Sequence, residues 1–202
     1  CPLARSDDVS HWGLVARHLL ENDAFPDRSA SIVAFQSYPL GSACFIYYIC
    51  RATGGGEGMW LAAQNLLMGL FFLPVLAHIR ENKGLLLSAA LGLFIYMFKS
   101  NRVLVNLQVD WLLGFLGFGA VAAVTAHRDD LRRALPVGLL AAVAVVYIKN
   151  SGMFFAMGTV LVLAAVVRQQ TGRRSDAVKT VLLGMACFVG AYLLWTLHVR
   201  LS

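Results

Sequence analysis

One stretch decides the fold class: residues 152–168, which read GMFFAMGTVLVLAAVVR. The only charged residue in it is the last one, Arg168. An apolar run of this length is typical of a helix that crosses a lipid bilayer, because about 20 such residues span about 30 Å of hydrocarbon. The tetrapeptide KNSG at 149–152 joins this run to the preceding apolar run and predicts a tight helical hairpin.

Similar apolar runs occupy most of the chain, and short charged clusters separate them. The predicted spans are 58–79, 84–98, 110–126, 134–148, 152–168 and 177–197. The composition agrees, since 58% of the 202 residues are hydrophobic and only 14% are charged. We therefore predict an all-α, polytopic transmembrane bundle of about six spans over residues 57–202. The same composition excludes a soluble globular enzyme, a nucleic-acid-binding module and a disordered chain.

Residues 1–56 are predicted to form an external loop segment that contains short amphipathic, interfacial helices. The stretch 9–20 is amphipathic, and 42–52 is apolar and aromatic. At 1.5 Å per residue, 42–52 reaches only about half of the hydrocarbon thickness. Three glycines at 54–56 then break the helix. We therefore predict that 42–52 lies at the membrane surface and does not cross.

Lys and Arg determine the predicted orientation, because cytoplasmic loops are enriched in them. The cations predicted to be cytoplasmic are Arg80, Lys83, Arg128, Arg132, Arg133, Arg168, Arg173, Arg174 and Lys179. The external side then contains the N-terminal segment together with Lys99, Arg102, Lys149 and Arg200. Topology therefore accounts for the net charge of +6, and no nucleic-acid partner is expected.

The string SDDVSHWG at 6–13 contains the first candidate site. The adjacent carboxylates of Asp7 and Asp8 suit a general base, which accepts a proton from an attacking hydroxyl. They equally suit oxygen ligation of a divalent cation or capping of a helix that starts near Val9. His11 follows within one helical turn, in reach of either carboxylate, and Trp12 fits an interfacial anchor. No Cys/His spacing typical of a metal site occurs.

Two further groups of residues are candidates for substrate binding. Tyr38 begins a turn that leads into the 42–52 segment, and its aromatic ring fits either a membrane-interface belt or a groove for a polyprenyl tail. The cations Lys99, Arg102 and Lys149 occur where the positive-inside rule disfavours them. Lys99 and Arg102 lie close in sequence to Asp110 and fit either phosphate binding or snorkelling side chains with a surface ion pair. Lys149 fits either a phosphate contact or a snorkelling helix end.

The chain resembles the bacterial multi-spanning membrane glycosyltransferases of the GT-C class. The resemblance rests on short strings: SHW at 10–12, YPLG at 38–41, VD at 109–110 and KNSG at 149–152. The second string departs from the family's YPPG, because Leu40 replaces a proline. Family members usually have more spans, and the chain begins at Cys1, so we expect a fragment that lacks the first transmembrane helix.

The resemblance implies sugar transfer from a polyprenyl-phosphate donor on the non-cytoplasmic face of the bacterial plasma membrane. Asp7 and Asp8 match the position of the family's catalytic acid, and Asp8 is slightly favoured because Asp7 is the more natural helix cap. The implied substrate-binding residues are His11, Tyr38, Lys99, Arg102, Asp110 and Lys149. The expected partners are the lipid-linked donor and membrane lipids. No cofactor is expected, with a divalent cation as the open alternative.

Three alternatives come from other classes of membrane protein. A polysaccharide polymerase or ligase also uses polyprenyl-linked sugars, but such enzymes more often have a large late external loop. A transporter would place charges at mid-membrane, whereas almost every charge here falls at a predicted helix end. A non-catalytic membrane scaffold would use Asp7 and Asp8 only as a cap. The sugar, the acceptor and the oligomeric state stay open.

Overall fold

Within the ranges that the structure describes, every regular element is a helix. The structure is a computed structural model, and it describes residues 11–27, 37–78, 83–84, 107 and 109–201. The helices are α1 (Gly13–Asn22), α2 (Gly41–Thr53), α3 (Glu57–His78), α4 (Val109–Ala126), α5 (Leu131–Val146), α6 (Gly152–Thr171) and α7 (Arg174–Leu201). The predicted all-α helical bundle is therefore confirmed.

Four of these helices are long and apolar enough to cross a membrane: α3, α4, α6 and α7. The protein is therefore an integral membrane protein. α5 has 16 residues, or about 24 Å, and it corresponds to a span that the sequence already predicts to be short. The predicted span 84–98 lies outside the described residues except at position 84.

The helices α3 and α4 run in the same direction. The ring of Phe72 lies 6.5 Å from that of Phe115. Nearly two turns further along both helices, His78 Nε2 lies 3.1 Å from the carbonyl oxygen of Ala122. The two helices therefore begin at the same end of the bundle.

The helices α4 to α7 follow one another as antiparallel hairpins with close packing. A Cβ at Gly184 of α7 would lie 2.5 Å from Val160 Cγ2 of α6, so only glycine permits this separation. A Cβ at Gly138 of α5 would lie 2.9 Å from both Leu163 and Val124. Glycines therefore allow the close packing of these neighbouring helices.

The two short helices α1 and α2 pack at the end of the bundle where α3 and α4 begin. α2 has 13 residues, about 20 Å, and it ends at Gly54, whose φ is +69°. The backbone N–H of Gly41 donates to the carbonyl oxygen of Tyr147 over 2.7 Å, which ties α2 to the end of α5. Residues 54–56 separate α2 from α3, so no continuous helix joins the two. We call this end of the bundle the α1/α2 end.

Candidate functional site

Four of the residues singled out in the sequence lie together at the α1/α2 end, although they come from four separate segments. His11 directly precedes α1, and Tyr38 lies in the turn before α2. Asp110 belongs to the first turn of α4, and Lys149 lies in the turn between α5 and α6. A chain of side-chain contacts connects all four, and we call them the end cluster.

An ion pair forms the polar part of the end cluster. Lys149 Nζ donates a hydrogen bond to Asp110 Oδ1 at 2.6 Å. The Lys149 side chain is only 21% exposed, whereas that of Asp110 is 69% exposed. The cation therefore lies in the protein surface with one neighbouring carboxylate, and the carboxylate faces the solvent. An ammonium group has three N–H donors, so Asp110 uses only one of them.

An aromatic wall forms the other part of the end cluster. Lys149 Nζ lies 5.7 Å from the centre of the Tyr38 ring, within the range of a cation–π contact. The Tyr38 ring in turn lies edge-on to His11, with 5.9 Å between ring centres, and stacks against Trp12 at 6.2 Å. His11 and Trp12 are themselves in contact at 4.4 Å. Tyr38 therefore lies between a cation and a buried histidine.

The sequence favoured Trp12 as an interfacial anchor, but in the structure Trp12 and the neighbouring His11 are both buried. Trp12 is 7% exposed and belongs to the main core cluster with Trp60 and Leu112. His11 is 1% exposed. Trp12 is buried because α1 lies against α2 and α3, a tertiary contact that periodicity alone does not reveal.

A close backbone contact positions the Tyr38 turn beside Lys149. A Cβ at Gly41 would lie 2.6 Å from the carbonyl oxygen of Tyr147, the same oxygen that accepts from the Gly41 N–H. Leu40 is buried beside Val15 and Trp195. Residues 38–41 are thus fixed against Tyr147 at the end of α5, two residues before Lys149. Position 41 must be glycine because its backbone lies so close to the Tyr147 carbonyl.

Tight turn geometry fixes Lys149 itself. The N–H of Gly152 donates to the carbonyl oxygen of Lys149 at 2.8 Å. A side chain at Gly152 would collide with the carbonyl of Val145, so the first residue of α6 must be glycine. Ile148 is 4% exposed, and its burial in the core holds the turn in place. The KNSG string predicted a tight hairpin, and these contacts are its physical basis.

A second polar group at the same end was missed by the sequence reasoning. Asp23 accepts a hydrogen bond from the Tyr47 hydroxyl at 2.9 Å and pairs with Arg51 at 3.1 Å. The hydrogen bond to Asp23 raises the pKa of Tyr47 above its usual value. Asp23 has a left-handed backbone with φ of +51°, which asparagine and aspartate tolerate better than most residues. This group joins the end of α1 to α2 and has no direct contact with Lys149 among the contacts described.

Four of the predicted site residues lie outside the described residues: Asp7, Asp8, Lys99 and Arg102. Among the described residues, no group of three or more His, Cys, Asp or Glu is arranged to bind a metal ion.

No family model, curated protein sequence or solved structure matches this chain. The end cluster therefore has to be interpreted from its own chemistry. It presents one partly buried ammonium group, one exposed carboxylate and an aromatic wall at the level where spanning helices begin. Such a site can bind an anionic group beside a sugar or an isoprenoid, because the ammonium pairs with the anion and the rings contact apolar surface.

Proposed function

We propose that this protein acts as a membrane glycosyltransferase that transfers a sugar from a polyprenyl-phosphate donor to an acceptor on the non-cytoplasmic face. The observation that supports this most is the convergence of His11, Tyr38, Asp110 and Lys149 at one end of the bundle. These residues lie 27 to 138 positions apart in sequence, so their contact is a property of the fold.

The proposed donor fits the position of Lys149. A polyprenyl tail lies in the hydrocarbon, so its phosphate lies at the level of helix ends, where Lys149 is found. Two N–H donors of Lys149 are available beyond the one that Asp110 accepts. A phosphate oxygen bound there forms a charge-assisted hydrogen bond, and the Tyr38 ring borders the same cation.

The proposed reaction is a single displacement at the anomeric carbon. The acceptor oxygen forms a bond to that carbon and gives its proton to the carboxylate of Asp7 or Asp8. The bond between the anomeric carbon and the phosphate oxygen breaks, and the polyprenyl phosphate leaves with the electron pair. Because the leaving group is already an anion, cationic stabilisation by Lys149, Lys99 and Arg102 replaces protonation by a general acid. Attack from the opposite face inverts the anomeric centre.

Asp110 has a distinct role in this proposal, because it competes with the phosphate for Lys149. A carboxylate 2.6 Å from the ammonium offsets most of its charge and repels an incoming phosphate. It also keeps Lys149 in place when no donor is bound. We therefore propose Asp110 as a positioning residue that moves away from Lys149 or shares it when donor binds.

Sugar transfer in membranes that contain the full chain tests the proposal. Asp8→Asn keeps the shape of the side chain and removes the base, so transfer should fall by about 100-fold or more. Binding of the donor should persist in this variant. Asp7→Asn is measured in parallel, since either aspartate fits the role. If both variants transfer sugar at the unchanged rate, the acidic pair is only a helix cap and the proposed mechanism is wrong.

A further inference from the structure

The opposite end of the bundle presents an exposed group of cations from two neighbouring turns. The turn between α4 and α5 and the turn between α6 and α7 are joined by a hydrogen bond from Gln170 Nε2 to the carbonyl oxygen of Arg128 at 3.0 Å. The cations contributed by residues 127–133 and 168–179 are Arg128, Arg132, Arg133, Arg168, Arg173, Arg174 and Lys179. We call this surface the arginine face.

The arginine face has a surplus of positive charge that the described part of the protein does not neutralise. Its seven cations are accompanied by three carboxylates, those of Asp129, Asp130 and Asp176. These carboxylates pair locally with Arg128, Arg133 and Lys179. Among the described residues, no carboxylate pairs with the remaining cations, which are Arg132, Arg168, Arg173 and Arg174.

Three cations at the α1/α2 end differ in this respect. Arg17 pairs with Glu57 at 3.4 Å, Arg51 pairs with Asp23 at 3.1 Å, and Lys149 pairs with Asp110 at 2.6 Å. Positive-inside topology requires an excess of cations at one end but does not require that they lack internal partners. The four arginines without a carboxylate partner can therefore bind an anionic partner outside the protein.

The positive charge of the arginine face comes from its side chains. α5 and α7 begin there, whereas α4 and α6 end there, so the helix dipoles largely cancel. The carboxylate of Asp130 caps α5 by accepting from the N–H of Arg132. The apolar core beneath the face, which includes Val124, Leu163 and Val166, places the cations at the ends of membrane-length helices and so at headgroup depth.

We propose that the arginine face binds the phosphate headgroups of anionic phospholipids. The guanidinium group favours phosphate through paired N–H donors, and juxtamembrane cations attract anionic lipid by about 1 kcal/mol each. The acyl chains of such a lipid would lie along the exposed apolar surface of α7, where Leu182 and Leu183 are 62% and 50% exposed. This site is independent of the glycosyltransferase proposal, because it lies at the other end of the bundle.

The test measures how many phosphatidylglycerol molecules the purified full chain retains from mixed phosphatidylglycerol and phosphatidylcholine micelles, by native mass spectrometry. The wild-type chain should retain phosphatidylglycerol preferentially. Arg132→Gln, Arg168→Gln and Arg173→Gln combined should lower that affinity by about fivefold per cation, so up to about 150-fold. The matched control combines Arg17→Gln, Arg51→Gln and Arg200→Gln, which removes the same charge from the α1/α2 end and should leave lipid retention unchanged.

Two further measurements keep the proposal open to refutation. Replacement of the same three arginines by lysine keeps the charge and should restore most of the retention, even if the glutamine variant folds poorly. Inorganic phosphate is added as a soluble competitor, and it should displace little phosphatidylglycerol at millimolar concentration. Equal retention of the two lipids, equal loss in the control variant, or complete displacement by inorganic phosphate would each overturn the proposed lipid site.

Discussion

Replacement of Gly41 by alanine should detach the Tyr38 turn from the bundle. The new Cβ would lie 2.6 Å from the Tyr147 carbonyl oxygen and 3.0 Å from its carbonyl carbon. Ordinary C···O contacts begin at about 3.3 Å, so the two segments must separate by about 0.7 Å. The 2.7 Å hydrogen bond from Gly41 N–H would then exceed about 3.2 Å and be largely lost.

The expected cost follows from these two effects. Loss of the hydrogen bond costs about 1 kcal/mol, and forcing a methyl group into a packed contact costs about 1–3 kcal/mol. The total of about 2–4 kcal/mol corresponds to a fall in Tm of about 5–15 °C for a chain of this length. Because the Tyr38 turn leads directly into Gly41, the contact between Tyr38 and Lys149 should be lost as well.

Thermal unfolding of the purified chain in detergent measures this effect, with Gly158→Ala as the matched control. Gly158 also lies in a helix, but nothing lies within 4 Å of a Cβ built there. Alanine at 158 should be neutral or slightly stabilising, since it is the better helix former. If Gly41→Ala and Gly158→Ala unfold at the same temperature, the close contact of Gly41 with Tyr147 is not present in the protein.

Three further predictions concern other contacts. The pKa of Tyr47 is raised in the native chain, so its hydrogen bond to Asp23 persists at neutral pH and is lost only as the pH rises through the raised pKa. Asp23→Asn should lower this pKa toward its usual value. The pKa is measured by ultraviolet titration, as the difference between chains with Tyr47 and with Tyr47→Phe. Residue Cys50 is 3% exposed, and burial raises the pKa of its thiol. Alkylation of this thiol should therefore be slow at pH 7 and faster at higher pH, as quantified by mass spectrometry of the labelled peptide. Thr125→Val removes the 3.0 Å contact with His78 and should lower the unfolding free energy by about 1 kcal/mol, measured by denaturant titration. The control is Thr196→Val, because the Thr196 hydroxyl bonds only to the backbone of its own helix. A larger loss for Thr125→Val than for the control confirms the contact with His78, and an equal loss contradicts it.

Most of the helical framework could be predicted from hydropathy because bilayer-length apolar runs have few alternatives. The predicted span 152–168 is observed as α6 over Gly152–Thr171, and 110–126 as α4 over Val109–Ala126. The predicted span 134–148 begins earlier in the structure, at Leu131, because the side chain of Asp130 caps the helix. Polar caps of this kind lie outside the apolar run and were not used to set the boundary.

The contacts of the candidate site could be predicted only in part. Residue chemistry was enough to single out Lys149, Asp110 and Tyr38, but the sequence grouped Asp110 with Lys99 and Arg102 because they are close in the chain. The structure pairs Asp110 with Lys149, 39 residues away. This pairing depends on α4 and α5 being antiparallel neighbours, and on a hairpin that returns Lys149 to the start of α4. No local pattern contains that information.

The most direct test of the proposed donor site is the affinity of the purified chain for a polyprenyl phosphate, compared with the polyprenol that lacks the phosphate. Lys149→Ala should weaken binding of the polyprenyl phosphate by about 5- to 150-fold, the loss of one charge-assisted hydrogen bond, and Asp110→Asn should strengthen it because the competing carboxylate is gone. Arg51→Ala, which breaks another ion pair at the same end, is the control and should change neither affinity. Two results would show that Lys149 does not bind the donor phosphate. One is that Lys149→Ala and Asp110→Asn change the affinity for polyprenyl phosphate in the same direction. The other is that these variants change the affinity for polyprenol as much as the affinity for polyprenyl phosphate.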